Sequence, residues 1–387
     1  MVYVGYRSTS KSASKARAGG VFARTAGVFD KAGSIFERTV GLFEEAGGLF
    51  ARMVGIFALM VGIFERTAGI FARTIGVTVR TTTAFATISF TLAERGIRRV
   101  RQHGIKGGLN IDRPVITELI NYIKLLSVMT RPGTRDLTKR YPKLINKFFG
   151  TYLHLDFDKA ARQDILILHY YYIGNRVKPT FYENIAASKI VLWRCENEMS
   201  LCEISLMFDK QNHYEGDISL VFSIDNIRIY IIGFSIVPGH LIGAPTAHAL
   251  LIGRIQGTRG RYDDIKRATK LCNDILPPYL LVDASIELAK VLDITYVGGV
   301  DSKGQVTVGA NEDSFFNYDA FWGTYHAEQA VNNIYLISVN HEVTPLSELK
   351  PSHRRRTKLK RMFRGEVAEH VARVFAEECL RTQPEIA

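Results

Sequence analysis

The sequence is poor in cysteine, poor in tryptophan, and short of acidic residues to balance its basic ones. Its four cysteines, Cys195, Cys202, Cys272 and Cys379, form no Cys-x-x-Cys pair and have no histidine at ligand spacing. That speaks against a zinc site. Thiols this sparse and irregular suit a reducing compartment and read as ordinary core or surface residues. There is no Gly-x-Ser-x-Gly elbow, no Walker loop and no His-Glu-x-x-His pair, so three common hydrolytic signatures are missing. No compact apolar stretch with a cleavage site follows the basic N-terminus. No signal peptide is therefore read, and the cytoplasm is the default location.

What the chain does have is ample apolar material and a charge excess. Hydrophobic residues make up 47% of 387, and charged residues 23%, the usual range for globular proteins. The length allows two or three domains. A net charge of +12 favours an acidic partner such as anionic lipid, lipopolysaccharide phosphate or nucleic acid. The alternative is a solvated basic surface with no partner.

Residues 18–87 repeat every seven positions. Phenylalanine recurs at Phe22, Phe29, Phe36 and Phe43 and onward to Phe71, with glycine two places earlier in most units and a basic residue closing many. A period of seven puts each position on one stripe of a helix. Glycine in nearly every unit opposes this, at about 1 kcal/mol each relative to alanine. The uncharged stretch at 53–64 falls short of the about 20 residues of a spanning helix. The array reads first as a tandem duplication without independent function, and second as a helix lying in a membrane surface. Basic residues from Arg95 to Lys106 and the pair Gly107-Gly108 mark a boundary. The expected domains are a low-complexity extension, 1–108, and a folded domain, 109–387.

In the second part, spacing predicts helices over 115–129, 141–153 and 181–191. Strands are predicted over 199–209, 218–224, 227–237 and 249–256, with Asp225-Asn226 as a hairpin turn. A helix over 278–292 and a buried strand over 294–300 come next. Strands in succession, then strand–helix–strand, point to an α+β domain with a mixed or antiparallel sheet flanked by helices.

A set of short signatures stands in order along this domain. They are His169-Tyr170, Glu215-Gly216-Asp217-Ile218-Ser219-Leu220, Gly233-Phe234-Ser235 and Ile252-Gly253-Arg254-Ile255-Gln256-Gly257. Thr269-Lys270, Leu288-Ala289, Gly299-Val300, Tyr318-Asp319-Ala320-Phe321-Trp322 and Arg354-Arg355-Arg356 complete the series. In this order they resemble the VirK/YbjX family over just over half of the chain, excluding the heptapeptide array. The resemblance implies a cytoplasmic bacterial protein linked to envelope remodelling, antimicrobial-peptide resistance and virulence. This chain departs from the pattern twice. Leu271-Cys272-Asn273-Asp274-Ile275-Leu276-Pro277-Pro278 stands where the family usually has a His-Gly-x-Arg-Pro turn, so that His and Arg are missing, and Asp301-Ser302-Lys303-Gly304-Gln305 where it tends to have Ser-Asn and a histidine.

Two functions are open. In the first, an accessory protein acts at the inner membrane face, gripping anionic lipid or another envelope component through Arg354, Arg355 and Arg356. Nucleic acid ranks lower, because the cluster lacks interleaved aromatics. In the second, the domain is an acetyltransferase-like, acyl-CoA-dependent enzyme. The strand and turn at Arg254-Ile255-Gln256-Gly257-Thr258-Arg259 resemble the acetyltransferase turn that holds a pyrophosphate on backbone N–H groups. Its last position is Arg259, where that pattern has glycine or alanine. A coenzyme A thioester would then lie against Arg254, Gln256, Gly257 and Lys270, with Glu215 and Tyr318 handling the proton. The plainer alternatives are a tight turn, a turn carboxylate and a core tyrosine.

Overall fold

The computed structural model describes residues 113–381, apart from 149, 199, 212, 307–315 and 342–343. The heptapeptide array and its two readings lie outside these. The chain divides into two units, Met1–Leu119 and Ile120–Ala387, and the sheet lies wholly within the second.

The helix predicted over 115–129 is α1, Arg113–Met129, and α2, Pro132–Arg140, starts directly behind it. Pro132 does not merely end α1; it sits in the first turn of α2, where its missing N–H costs nothing. The helix expected over 141–153 is instead a 3-10 turn, Pro142–Phe148, followed by irregular chain with Leu153 at φ 61°. Lys147 and Tyr152 are spent on tertiary polar contacts with the sheet and not on a continuous apolar stripe. Helix α3, Lys159–Arg176, is capped by the Asp158 carboxylate, which accepts from Ala161 N–H at 2.8 Å. Helix α4, Phe181–Ala187, stops short of the predicted end, because residues from Ile190 already belong to a strand.

Eight strands among the described residues form one mixed sheet in the order β1-β2-β3-β4-β5-β6-β8-β7. They are β1 Ile190–Asn197, β2 Ser200–Met207, β3 Ile218–Ile224, β4 Ile227–Pro238, β5 His248–Gly257, β6 Tyr296–Gly299, β7 Glu328–Gln329 and β8 Tyr335–Ser338. The first five are antiparallel neighbours in chain order. Asp225 and Asn226, at φ 51° and 63°, make the β3–β4 hairpin turn, the conformation that a two-residue turn between twisted strands prefers. Strand β6 is parallel to β5 and so needs a crossover. Two helices supply it, α5 Tyr262–Leu271 and α6 Pro277–Val291. Helix α7, Tyr318–Gly323, and the long α8, Pro351–Cys379, complete the set.

Every residue of β3 is buried, so both faces of the sheet centre are covered. Helix α6 packs on β3 to β6 and against α8, α3 packs on β4, and α8 reaches the edge strand β1.

Candidate functional site

Two irregularities in the sheet position the polar residues. Strand β5 bulges at Gly253, where the register with β4 shifts from Arg254 to Ile252. The carbonyl of Glu215 lies so close that a Cβ on Gly253 would sit 2.6 Å from it. The 3-10 turn His213–Glu215 is thereby laid against β5. The second irregularity is the short parallel pairing of β5 and β6, which covers Leu250, Leu251 and Ile252 only.

A polar cluster surrounds Asp217, which is wholly buried just ahead of β3. Lys147 Nζ donates to its Oδ1 at 2.6 Å, Tyr170 to Oδ1 at 2.7 Å and Ser235 to Oδ2 at 2.8 Å. Tyr152 also donates to Oδ2. The backbone N–H of Asp217 donates to Ser235 Oγ at 3.0 Å. Burial alone would raise the Asp217 carboxyl, but the Lys147 charge and the hydrogen bonds from Lys147 and Tyr152 hold it below the usual carboxylate range. His169 accepts from Ile236 N–H at its Nδ1 (3.1 Å), so its hydrogen is on Nε2, facing the Tyr182 hydroxyl at 3.4 Å. Burial lowers His169 to about 4, so it is neutral at pH 7. An ionised carboxylate with a paired ammonium and three hydroxyl donors is fully satisfied. It ties the 3-10 turn, α3, β3 and β4 together, and no member is open to solvent.

A second cluster contains three of the residues nominated from sequence. Arg254 Nη1 donates to Asp209 Oδ2 at 2.8 Å, and its Nε lies 3.3 Å from Glu215 Oε2 and 2.9 Å from Gln256 Oε1. Gln305 Nε2 donates to Glu215 Oε1 at 3.4 Å. Glu215, Asp209, Arg254 and Gln305 are buried, and Gln256 is exposed. The Arg254 guanidinium is thus committed to two carboxylates and an amide, in a geometry suited to holding protein groups.

Tyr318, the other proposed proton carrier, opens α7. Its hydroxyl accepts from Ile255 N–H at 2.8 Å and donates to Ile255 O at 2.9 Å. It therefore satisfies the edge of β5 where β6 no longer pairs. Burial pushes its pKa up. Trp322, one turn later, donates to Val300 O at 2.9 Å and packs on Gly299, where a Cβ would lie 2.0 Å from the indole.

The remaining nominees stand apart. Gly257 ends β5 against the Tyr230 ring, and Thr258 N–H behind it is bonded to Ile229 O at 2.8 Å. The first turn of α5 carries Asp263 and Asp264. Lys270 is exposed at the far end of the same helix, about 12 Å from its start at 1.5 Å per residue.

The three arginines divide. Arg354 donates to Leu349 O and Ser347 O, and Arg356 pairs with Asp274 at 2.9 Å. Lys360 donates to Asp274 O at 2.5 Å. Asp274 belongs to the segment that departs from the family pattern, where Asn273 and Asp274 are both left-handed (φ 55° and 56°). Arg355 and Lys358 are exposed, as are Leu359 (56%) and Met362 (50%). A groove of about 360 Å³ here is lined by Asp274, Arg356, Leu359, Lys360, Met362 and Glu366, among others.

Sequence reasoning did not single out Lys147, Tyr152 or Asp209. Asp217, His169, Tyr170 and Ser235 stood inside the quoted signatures without an assigned role. The departing loop at 301–305 is also tied down. Asp301 Oδ1 accepts from Gly304 N–H at 2.6 Å, and His154 lies against Gly304 with its Nε2 3.8 Å from Asp301 Oδ1. Among the described residues, no group of three or more His, Cys, Asp or Glu side chains is placed to hold a metal ion. No helix among them is long and apolar enough to cross a membrane.

Residues 116–370 match the family described as "Protein of unknown function (DUF535)". That is more than half of the chain, which therefore belongs to this family, the VirK/YbjX family. No curated protein and no solved structure matches it.

Proposed function

We propose that this DUF535 member is an accessory protein of the bacterial envelope that works at the inner face of the cytoplasmic membrane, docking on anionic lipid through the first half of α8. The observation that carries this reading is one exposed stripe. Arg355, Lys358, Leu359 and Met362 are all exposed at i, i+3, i+4 and i+7, the spacing of one helix face. The buried residues of α8 begin only at Val367. Basic side chains flanking exposed leucine and methionine suit a headgroup layer, where charge attracts and apolar groups insert. The net charge of +12 acts in the same direction.

The test is sedimentation of the full chain with vesicles of phosphatidylglycerol and phosphatidylethanolamine, beside vesicles of phosphatidylcholine alone. Each basic residue near an anionic surface contributes about 1 kcal/mol, so reversing Arg355 and Lys358 to glutamate should weaken binding by more than about tenfold. Unchanged binding by the doubly reversed protein would rule out α8 as the docking element.

One observation favours the acyl-CoA-dependent transferase as a second reading. Strand β5 runs into the 258–261 turn and α5, with the parallel β6 beside it, the setting in which a helix start receives a phosphate. Against it stand Tyr318 on the β5 edge and the two aspartates of α5's first turn. Calorimetry with acetyl-, malonyl- and long-chain CoA, beside Gly257→Trp, separates the readings. Micromolar binding abolished by the substitution would favour the transferase, and no binding would remove it.

A further inference from the structure

The groove between α8 and the turn joining α5 to α6 carries charges of both signs in equal number. Arg356, Lys360 and Phe363 follow one another along α8 at steps of four and three residues, and Leu359, Met362 and Glu366 run beside them at steps of three and four, so all lie along one side of the helix. Asp274 lines the groove from the turn. Its Oδ2 accepts from Arg356 Nη2 at 2.9 Å, and its backbone carbonyl accepts from Lys360 Nζ at 2.5 Å. Two cations, Arg356 and Lys360, thus share the groove with two carboxylates, Asp274 and Glu366, and the lining has no net formal charge. The Arg356 and Asp274 side chains are 67% and 56% exposed, and a pair so open to water is held weakly.

We propose that this groove binds the phosphoethanolamine headgroup of a phospholipid, an inference that rests on the docking of α8 at the membrane surface. A guanidinium has five N–H donors and an ammonium three, so the bonds to Asp274 leave Arg356 and Lys360 able to take the lipid phosphate. The Asp274 carboxylate beside them, and Glu366 farther along the helix, accept from the lipid ammonium. Leu359 and Met362, both exposed, meet the glycerol and the first chain carbons as α8 lies in the headgroup layer.

The balance of charge decides which lipid fits. A receptor for an anionic headgroup gathers cations without carboxylates, as the outward Arg355 and Lys358 do; Asp274 and Glu366 repel such a headgroup. A lipid that carries both a phosphate and an ammonium answers both signs. Phosphatidylcholine also carries both, but its quaternary ammonium has no N–H to donate and is recognised by cages of aromatic rings. Phe363 is the single aromatic side chain lining the groove among the described residues. The outward stripe therefore draws the protein to an anionic surface, and the groove selects the primary-ammonium lipid within it.

The experiment sediments the full chain with two sets of vesicles of equal phosphatidylglycerol content, the balance being phosphatidylethanolamine in one and phosphatidylcholine in the other. The native chain should bind the phosphatidylethanolamine set about fivefold more tightly, the scale of an exposed charge pair. The double variant Asp274→Asn, Glu366→Gln should keep its salt-sensitive binding to both sets while that ratio falls towards one. Asparagine tolerates the left-handed backbone at position 274 (φ 56°), and circular dichroism checks that the variant is folded. A variant that keeps the full preference would overturn the proposal, because the looser packing of phosphatidylethanolamine headgroups would then account for it. Equal binding of the native chain to both sets would also overturn it and leave docking through α8 standing. No binding to either set at low salt would remove both.

Discussion

At the scale of single residues, the sheet centre is held by charged and polar groups withdrawn from water and paired with one another. Lys147 and Asp217 show this most sharply, since each is wholly buried and 2.6 Å from the other. Replacing such a pair together costs little, but removing one partner strands the other. Lys147→Met should therefore cost about 3–5 kcal/mol, read as a shift in urea midpoint. A change under about 1 kcal/mol would mean that the tyrosine and serine donors alone satisfy Asp217. The Asp217 carboxyl is depressed when folded, so its contribution is complete above the ordinary carboxylate value near pH 4 and fades as pH falls below it.

His169 gives a separate window. Its pKa falls from 6.5 to about 4 on folding, so the folded state favours the neutral ring. That stability is present above pH 6.5 and is lost as pH falls towards 4, by about 3 kcal/mol at about 1.4 kcal/mol per unit. The stability of His169→Gln, measured by urea unfolding between pH 7 and 4.5, should be flatter with pH than that of the native chain. Parallel curves would assign the acid sensitivity to other groups.

At the scale of elements, what the sequence made legible was set by local periodicity. The β3–β4 hairpin and its Asp225-Asn226 turn, strand β5 and helix α6 follow short apolar runs, turn chemistry and helical spacing, all local signals. The 141–153 segment went astray because its side chains serve distant partners. Lys147 answers Asp217, seventy positions away, and Tyr152 answers Asp217 and Ser235; no local rule encodes this. The same holds for the candidate site. The signatures at 215–217, 233–235 and 252–257 were visible as words, but the bulge at Gly253 that brings Glu215 to Arg254 was not. Gly253→Ala tests that element, since its Cβ would stand 2.6 Å from the Glu215 carbonyl, a backbone atom. Overpacking of this kind typically costs about 1–3 kcal/mol. The variant should unfold at correspondingly lower urea, and an unchanged midpoint would show that the 3-10 turn is free to move off β5.

At the scale of the whole molecule, the Asp217 cluster, the Arg254 carboxylates and the α7 aromatics are turned inward, while the first half of α8 presents basic and apolar side chains outward. That contrast turns attention to the surface as the place of function. The clusters hold β3, β4 and β5 in place, and α8 is carried on that frame through α6 and β1. The most direct measurement is the partition of the full chain onto vesicles containing phosphatidylglycerol as salt rises from about 0.05 to 0.5 M, a range over which the screening length falls below about 10 Å. A protein that docks through α8 should bind strongly at low salt, come off progressively as salt rises, and bind phosphatidylcholine little at any salt. Binding that ignores both salt and lipid charge, or none at low salt, would contradict a role at the anionic membrane surface.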